Sequence, residues 1–340
     1  MESTEIAFLS AVATAKAIKA NEISPTDAVQ AYLERIDRLD SRLAAYITVV
    51  REEALGAAQL VAGRLERGED PGPLAGVPIA VKDQYWTKGI LTTNGSKVYQ
   101  DFVPDEDSTV IQRLRDAGSV LLGKLNLSEL AMGGTQNPPW GIPANPWNFE
   151  CSPGESSSGS GVALAAHLCA ASMGEDTGGS GRGPASYCGV VGLKPTYGRI
   201  STRGIVPLSR HFDHVGPFGR TVEDVQIMLS ILEGFDPRHP DSRRNPNTSV
   251  EPFNVKGLRL GTIENFHQTE WHPKVSASFK DSLKRMKDLG CLIETLEIPD
   301  YEPASTRISC LKFVEAEAAS TFSNELLSTS NQIPDKILKL

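Results

Sequence analysis

Two glycine- and serine-rich stretches decide the fold of this sequence: Ser152-Pro-Gly-Glu-Ser-Ser-Ser-Gly-Ser-Gly161 and Asp176-Thr-Gly-Gly-Ser-Gly-Arg182. Taken alone, such runs are typical of flexible linkers. The first stretch, however, is followed at once by an apolar, alanine-rich segment at 162–171, which we predict to be a helix. Backbone N–H groups around 157–161 would then lie at a helix N-terminus, where they can orient a hydroxyl or bind an anion.

The second stretch places two glycines directly before Ser180, and upstream Lys82 ends the apolar run Val77-Pro-Ile-Ala-Val. Glycine permits backbone conformations in which successive N–H groups point to one spot, as an oxyanion hole requires. A lysine acts as a base only when it is neutral, which requires burial to lower its pKa by roughly three units, about 4 kcal/mol. The alternative is a lysine that snorkels to solvent beside Asp83.

Composition limits the class of protein. The chain has 340 residues, 40% apolar and 22% charged, enough for a substantial core. Its net charge of −8 argues against direct binding of nucleic acid or of an anionic membrane. Without a long apolar run or a basic start at Met1, we expect a cytoplasmic protein. The five cysteines form no CxxC pair and predict neither disulfides nor a zinc site.

The order of predicted elements indicates an α/β fold. Ser24-Pro-Thr-Asp27 combines a capping serine with a proline at the first helical position, so a helix should run from there to about Asp40. A second helix is predicted at 52–66. Predicted strands and helices alternate from Gly76 onward. The strands are 76–82, 120–123, 258–263 and 292–296; the helical segments are 109–117, 127–132, 162–171, 222–232 and 273–289.

Several common catalytic motifs are absent from the sequence. It lacks the GxSxG nucleophile elbow, GxxxxGK[ST], GxGxxG and HExxH. The six histidines are scattered, and none follows a strand that ends in a nucleophile. If the chain is a serine hydrolase, its base is therefore expected to be a lysine, and no metal or cofactor is expected.

Longer matching segments make the chain resemble the amidase signature family. They include Gly76-Val-Pro-Ile-Ala-Val-Lys-Asp83 and Cys188-Gly-Val-Val-Gly-Leu-Lys-Pro-Thr-Tyr-Gly-Arg-Ile-Ser201. The matching segments occur in family order at 76–83, 123–133, 145–147, 153–161, 176–182, 188–201 and 213–224. The resemblance implies a mixed, twisted β-sheet core flanked by α-helices, the amidase signature fold.

The resemblance also implies a Ser–cis-Ser–Lys triad. Ser180 corresponds to the nucleophile that forms an acyl-enzyme, Ser156 to a bridging serine that follows a cis peptide bond, and Lys82 to the base. Ser156 lies 24 positions before Ser180, the separation that the family pattern requires. The remaining assignments are an oxyanion hole formed by the backbone N–H groups of Thr177, Gly178, Gly179 and Ser180, and a supporting ion pair between Asp176 and Arg182.

The chain departs from the family pattern near these residues. Glu155 and Ser158 stand where the family usually has glycine, Glu175 where it often has threonine or serine, and Gly181 and Gly183 where it has larger residues. A carboxylate beside the lysine base would raise the pKa of that lysine and weaken it. Two other hypotheses are open: the glutamates pair elsewhere, or they favour a cationic substrate.

The domain organisation is interpreted as one amidase signature domain over residues 1–340. It consists of N-terminal helices at about 1–70, a catalytic core at about 71–235 and a remainder at 236–340. Proteins of the family normally continue well past the equivalent of Leu340. We therefore expect a C-terminally incomplete chain.

The expected reaction is hydrolysis of a small carboxamide to an acid and ammonia or an amine. Ser201-Thr-Arg-Gly-Ile-Val-Pro-Leu-Ser209 is more similar to general amidases than to the glutaminase component of tRNA-dependent amidotransferases. Two alternatives are open: that glutaminase component (the A subunit), which would need partner subunits to handle tRNA, and a catalytically silent amidase-like scaffold. A homodimer is also left open.

Overall fold

A six-stranded mixed sheet organises the larger part of the chain. The computed structural model describes residues 1–132, 138–244, 254–263 and 271–323. The strands are β1 Tyr46–Val49, β2 Pro78–Lys82, β3 Val120–Leu125, β4 Ala171–Asp176, β5 Val191–Gly192 and β6 His214–Gly219. Their spatial order is β1-β3-β2-β4-β6-β5. The predicted mixed sheet flanked by helices is confirmed.

Three neighbouring strands run in the same direction. β2 is parallel to both β3 and β4, whereas β1 and β6 are antiparallel to their neighbours β3 and β4. The carboxyl ends of β2, β3 and β4 therefore meet at one edge of the sheet, the edge at which open α/β sheets place ligands. Every residue of β2 is buried, as expected for a strand covered on both faces.

Helices pack around this sheet in the order that the sequence predicts. The predicted cap at Ser24 is present, because its side chain accepts a hydrogen bond from Asp27 N. The core between sheet and helices includes the buried residues Tyr32, Val81 and Leu122. The helices are α1 Ser3–Phe8, α2 Ala11–Lys19, α3 Pro25–Leu43, α4 Arg51–Glu66, α5 Thr109–Asp116, α6 Ser158–Ala165, α7 Arg182–Cys188 and α8 Val222–Leu232, with short 3-10 helices at Lys97–Tyr99 and Glu129–Ala131.

The predicted helix at 162–171 is wrong in its boundaries. Helix α6 begins inside the first glycine/serine stretch, at Ser158, and ends at Ala165. Ala171 instead begins β4, which pairs with β2 on one side and with β6 on the other. Hydrogen bonding to two neighbouring strands outweighs the weak strand preference of alanine and glycine in this segment.

The chain divides into two compact units, Met1–Asn245 with Val314–Leu340, and Pro246–Phe313. In the second unit, β7 Arg259–Ile263 is parallel to β8 Leu292–Leu296, and helix α9 Pro273–Asp288 connects them. A further helix, α10, spans Pro303–Thr321. Over the described ranges, no helix combines the length and the apolar character needed to cross a membrane.

Candidate active site

The sequence-predicted lysine and serines lie on three segments at the carboxyl edge of the parallel strands. Lys82 is the last residue of β2. Ser156 lies in the loop that precedes α6, and Ser180 in the loop between β4 and α7. The alternation of strand and helix therefore brings together residues that are distant in sequence.

Lys82 and Ser156 form a buried pair. Lys82 Nζ lies 2.8 Å from Ser156 Oγ, and the two residues are 0% and 1% exposed. The peptide bond between Glu155 and Ser156 is cis, as the resemblance implies. The Ser156 carbonyl oxygen accepts a hydrogen bond from Ser128 N at 3.1 Å, which fixes the backbone on the far side of the serine.

Glu175 is the unexpected third member of this group. Its Oε2 lies 3.1 Å from Lys82 Nζ, and both side chains are almost fully buried. Burial lowers the pKa of Lys82 below its ordinary value, against the opposing attraction of Glu175. Of the three hypotheses for the added glutamates, Glu175 follows the first, since it contacts the lysine, whereas Glu155 is exposed.

Ser180 is half-buried and joined to the Ser156 segment through the backbone. Its carbonyl oxygen accepts a hydrogen bond from Ser157 N at 3.2 Å. Ser157 in turn exchanges hydrogen bonds with the backbone of Glu175 through its hydroxyl, at 3.0 and 3.1 Å. In the part of the chain that the structure describes, the Ser180 and Ser156 hydroxyls are not hydrogen-bonded to each other.

The Asp176 carboxylate shapes the loop around Ser180. It accepts hydrogen bonds from the backbone N–H groups of Gly179, Gly181 and Arg182 at 2.9, 3.2 and 3.1 Å. The Arg182 guanidinium binds the same carboxylate with two contacts of 2.9 Å, and these bonds lower the pKa of Asp176 against the effect of burial. The ion pair implied by the resemblance is therefore present.

This arrangement defines which N–H groups are available for an oxyanion. The N–H of Gly179 is already donated to Asp176, whereas those of Thr177, Gly178 and Ser180 have no acceptor among the residues that the structure describes. Gly179 has φ +122°, a conformation that residues with a Cβ rarely adopt. The glycine thus contributes backbone geometry to the loop.

Sequence reasoning missed two further participants, the Thr177 side chain and Asp213. The Thr177 hydroxyl contacts the carboxyl groups of Glu175 and Asp213. Burial and the charge of Glu175 raise the pKa of Asp213 to about 7. The one available signal was the position of Asp213 at the start of a family-like segment, which does not reveal what it contacts.

Comparison with known proteins places these features in a family. The family described as Amidase matches residues 27–339. The chain is 41% identical over 299 residues to the A subunit of glutamyl-tRNA(Gln) amidotransferase from Carboxydothermus hydrogenoformans, covering 87% of this chain and 62% of the relative. The same protein from Syntrophobacter fumaroxidans is 43% identical over 287 residues, with 82% and 58% covered. This chain thus spans about three fifths of the length of these relatives.

Solved structures with the same fold include enzymes whose names refer to different amides. The peptide amidase of Stenotrophomonas maltophilia superposes with a TM-score of 0.82 at 32% identity, covering 94% of this chain and 68% of that one. A bacterial aryl acylamidase described as an amidase signature enzyme has a TM-score of 0.89 at 25% identity, covering 98% and 72%.

Proposed function

The chain belongs to the amidase signature family, and from this premise we propose that it cleaves the C–N bond of a carboxamide through an acyl-enzyme on Ser180. The observation that carries the proposal is the buried amine of Lys82 at 2.8 Å from Ser156 Oγ. A buried, uncharged amine is a proton acceptor, and a hydroxyl can relay a proton to it.

The reaction follows from these positions. As Ser180 Oγ attacks the amide carbon, its proton passes to Ser156, whose own proton passes to Lys82. The developing oxyanion accepts hydrogen bonds from free backbone N–H groups of the 177–180 loop, and each such donor contributes about 3–4 kcal/mol in comparable sites. The relay then runs in reverse and protonates the leaving nitrogen, which departs. Water attacks the acyl-serine by the same route and releases the acid.

Glutamine is the substrate that we favour within this class. The relatives that are 41% and 43% identical are named as the glutaminase-type component of a glutamyl-tRNA(Gln) amidotransferase, which supports the amidotransferase alternative over a general small-amide amidase. In this proposal the chain releases ammonia from glutamine, and partner subunits handle the tRNA. A general amidase is the second candidate, supported by the fold shared with peptide amidase and aryl acylamidase.

The nucleophile is tested with a fluorophosphonate probe on the protein as it exists. We expect labelling of wild type at Ser180, loss of labelling in Ser180→Ala, and retention in Ser186→Ala, an exposed serine on α7. Folding of each variant is checked by circular dichroism. A folded wild-type protein that takes no label would contradict the proposed nucleophile and support the silent-scaffold alternative.

The substrate is tested by measuring ammonia release. Release from glutamine that increases when the partner subunits of a relative are added supports the amidotransferase assignment. Release from simple aliphatic or aryl amides, with none from glutamine under either condition, supports the general amidase. In both assays Ser180→Ala is the blank for contaminating activity.

A further inference from the structure

One hydroxyl lies between two buried carboxyl groups beside Lys82. Thr177 Oγ1 contacts Glu175 Oε1 and lies 2.6 Å from Asp213 Oδ1. A hydroxyl has a single proton and can donate it to only one of the two carboxyl oxygens. The other short oxygen–oxygen contact is a hydrogen bond only if that carboxyl group carries a proton of its own.

The surroundings of the two carboxyl groups make a second negative charge costly. Glu175 is 0% and Asp213 5% exposed, so solvent does not screen them. Asp213 accepts backbone N–H groups from Leu208 at 2.8 Å and Ser209 at 3.0 Å, while the other oxygen of Glu175 faces Lys82 at 3.1 Å. Two like charges held this close together ionise one after the other.

We propose that Glu175 and Asp213 share one proton across the Thr177 hydroxyl at neutral pH, and that this shared proton is the one that leaves the Lys82 amine neutral. The proton balance is simple: an ammonium and two carboxylates become an amine, one carboxylic acid and one carboxylate. The total charge of the three groups stays at one negative. Glu175 and Asp213 are thus positioning residues for the base, and their effect on catalysis rests on the function proposed above.

Two shifts agree with this arrangement. The pKa of Asp213 is raised to about 7 by burial and by Glu175. Burial lowers the pKa of Lys82. In a medium that solvates charge poorly, a neutral amine beside a neutral acid becomes competitive with an ion pair. The glutamate that departs from the family pattern therefore need not silence the lysine.

The other titratable groups around the pair keep one charge state near neutral pH. Asp176, whose pKa is lowered, stays ionised against Arg182. His214, at the start of β6, has its pKa lowered by burial and is neutral. Tyr85 and Tyr197 both have raised pKa values and stay protonated. The carboxylate of Glu317 reaches this region through the Ser209 hydroxyl and His211, and its pKa is lowered.

Infrared difference spectroscopy tests the shared proton without using catalysis. At about pH 8 an ion pair between Lys82 and two carboxylates contains no protonated carboxyl group, whereas the shared proton gives a carboxylic-acid C=O band. We expect the same band to disappear in Glu175→Gln and in Asp213→Asn. The matched control Glu155→Gln removes an exposed carboxyl beside Ser156 and should keep the band. Absence of the band in wild type, or its persistence in either variant, overturns the proposal.

The pH profile of kcat/KM supplies a readout that a purely structural role would not move. In Asp213→Asn, Glu175 loses its like-charged neighbour and forms an ordinary ion pair with Lys82. The acid limb then moves upward by at least one pH unit, and activity at about pH 7 falls about tenfold or more and recovers at higher pH. In Glu175→Gln the limb moves downward, because burial acts on Lys82 without the adjacent carboxylate.

Opposite shifts support the proposal, and shifts in one direction or none overturn it. If Asp213→Asn does not fold, the wild-type band and the Glu175→Gln profile still decide. The outcomes also separate the two proposals. A wild-type band without Ser180 labelling removes the amidase and leaves the shared proton, whereas labelling without the band does the reverse.

Discussion

Two buried lysines on neighbouring strands show how a structural lysine differs from a candidate base. Lys82 on β2 and Lys124 on β3 both have side chains that are 0% exposed. Each has a carboxyl oxygen close by, Glu175 at 3.1 Å and Asp83 at 3.2 Å. Burial lowers the pKa of both lysines. Burial and a nearby acid therefore do not distinguish the two.

The difference lies in the acceptors around each amine. Lys124 Nζ donates to Tyr85 O and to Thr92 Oγ1, both at 2.7 Å, in addition to facing Asp83. These three acceptors match the three N–H bonds of an ammonium. Lys82 instead faces a serine hydroxyl, which can donate a proton as well as accept one. The kind of group that an amine faces thus decides whether it can exchange a proton.

The largest expected effect tests the base. Lys82→Met should lower kcat/KM for the amide substrate by about 10²–10⁴, the range for loss of a general base. Lys124→Met, measured in parallel, should keep the wild-type pH dependence in whatever protein remains folded. Steady-state ammonia release at several pH values provides the measurement. Equal loss of activity per folded molecule in both variants would break the distinction between the two lysines.

The second effect tests the structural lysine. Lys124→Met leaves Asp83 buried without its cation, and breaking such a pair costs about 3–5 kcal/mol. We therefore expect the unfolding free energy, measured in urea, to fall by that amount. Lys82→Met should cost less, because Glu175 can retain a proton shared with Asp213. A larger loss for Lys82→Met would reverse the comparison.

The third effect is the pH dependence of stability. Asp213 has a folded pKa of about 7, raised from an ordinary value of 3.8. A raised carboxyl pKa means that the folded protein binds the proton more tightly. This contribution to stability is full below the ordinary value and is lost as the pH rises to about 7. The loss should be on the order of a few kcal/mol. Asp213→Asn should flatten the dependence of unfolding free energy on pH over that window, and unchanged steepness would contradict the assignment.

The smallest effect concerns an ion pair with one exposed partner. The Arg182 side chain is 55% exposed, whereas Asp176 is buried. Because solvent screens the guanidinium, Arg182→Gln should change the unfolding free energy by about 1 kcal/mol or less. Backbone N–H groups of the loop still hold the Asp176 carboxylate. A loss as large as that of Lys124→Met would place Arg182 among the essential buried pairs.

Local sequence patterns predicted much of the architecture. The capping serine at 24 and the apolar run at 77–82 led to a helix and a buried strand that the structure contains. The boundary between α6 and β4 was misplaced, because alanine-rich segments suit a helix unless neighbouring strands offer hydrogen bonds. The snorkelling alternative for Lys82 is excluded, since that side chain is fully buried.

The sequence alone determined the family, the α/β order of elements, and the choice of Lys82, Ser156 and Ser180 as candidate residues, because these depend on local motifs and their spacing. Only the tertiary structure decided that Glu175 faces the lysine and that Thr177 links it to Asp213. The physical reason is that proton affinity depends on burial and on charges brought close by folding. Residues far apart along the chain acquire those neighbours only when parallel strands end at the same edge.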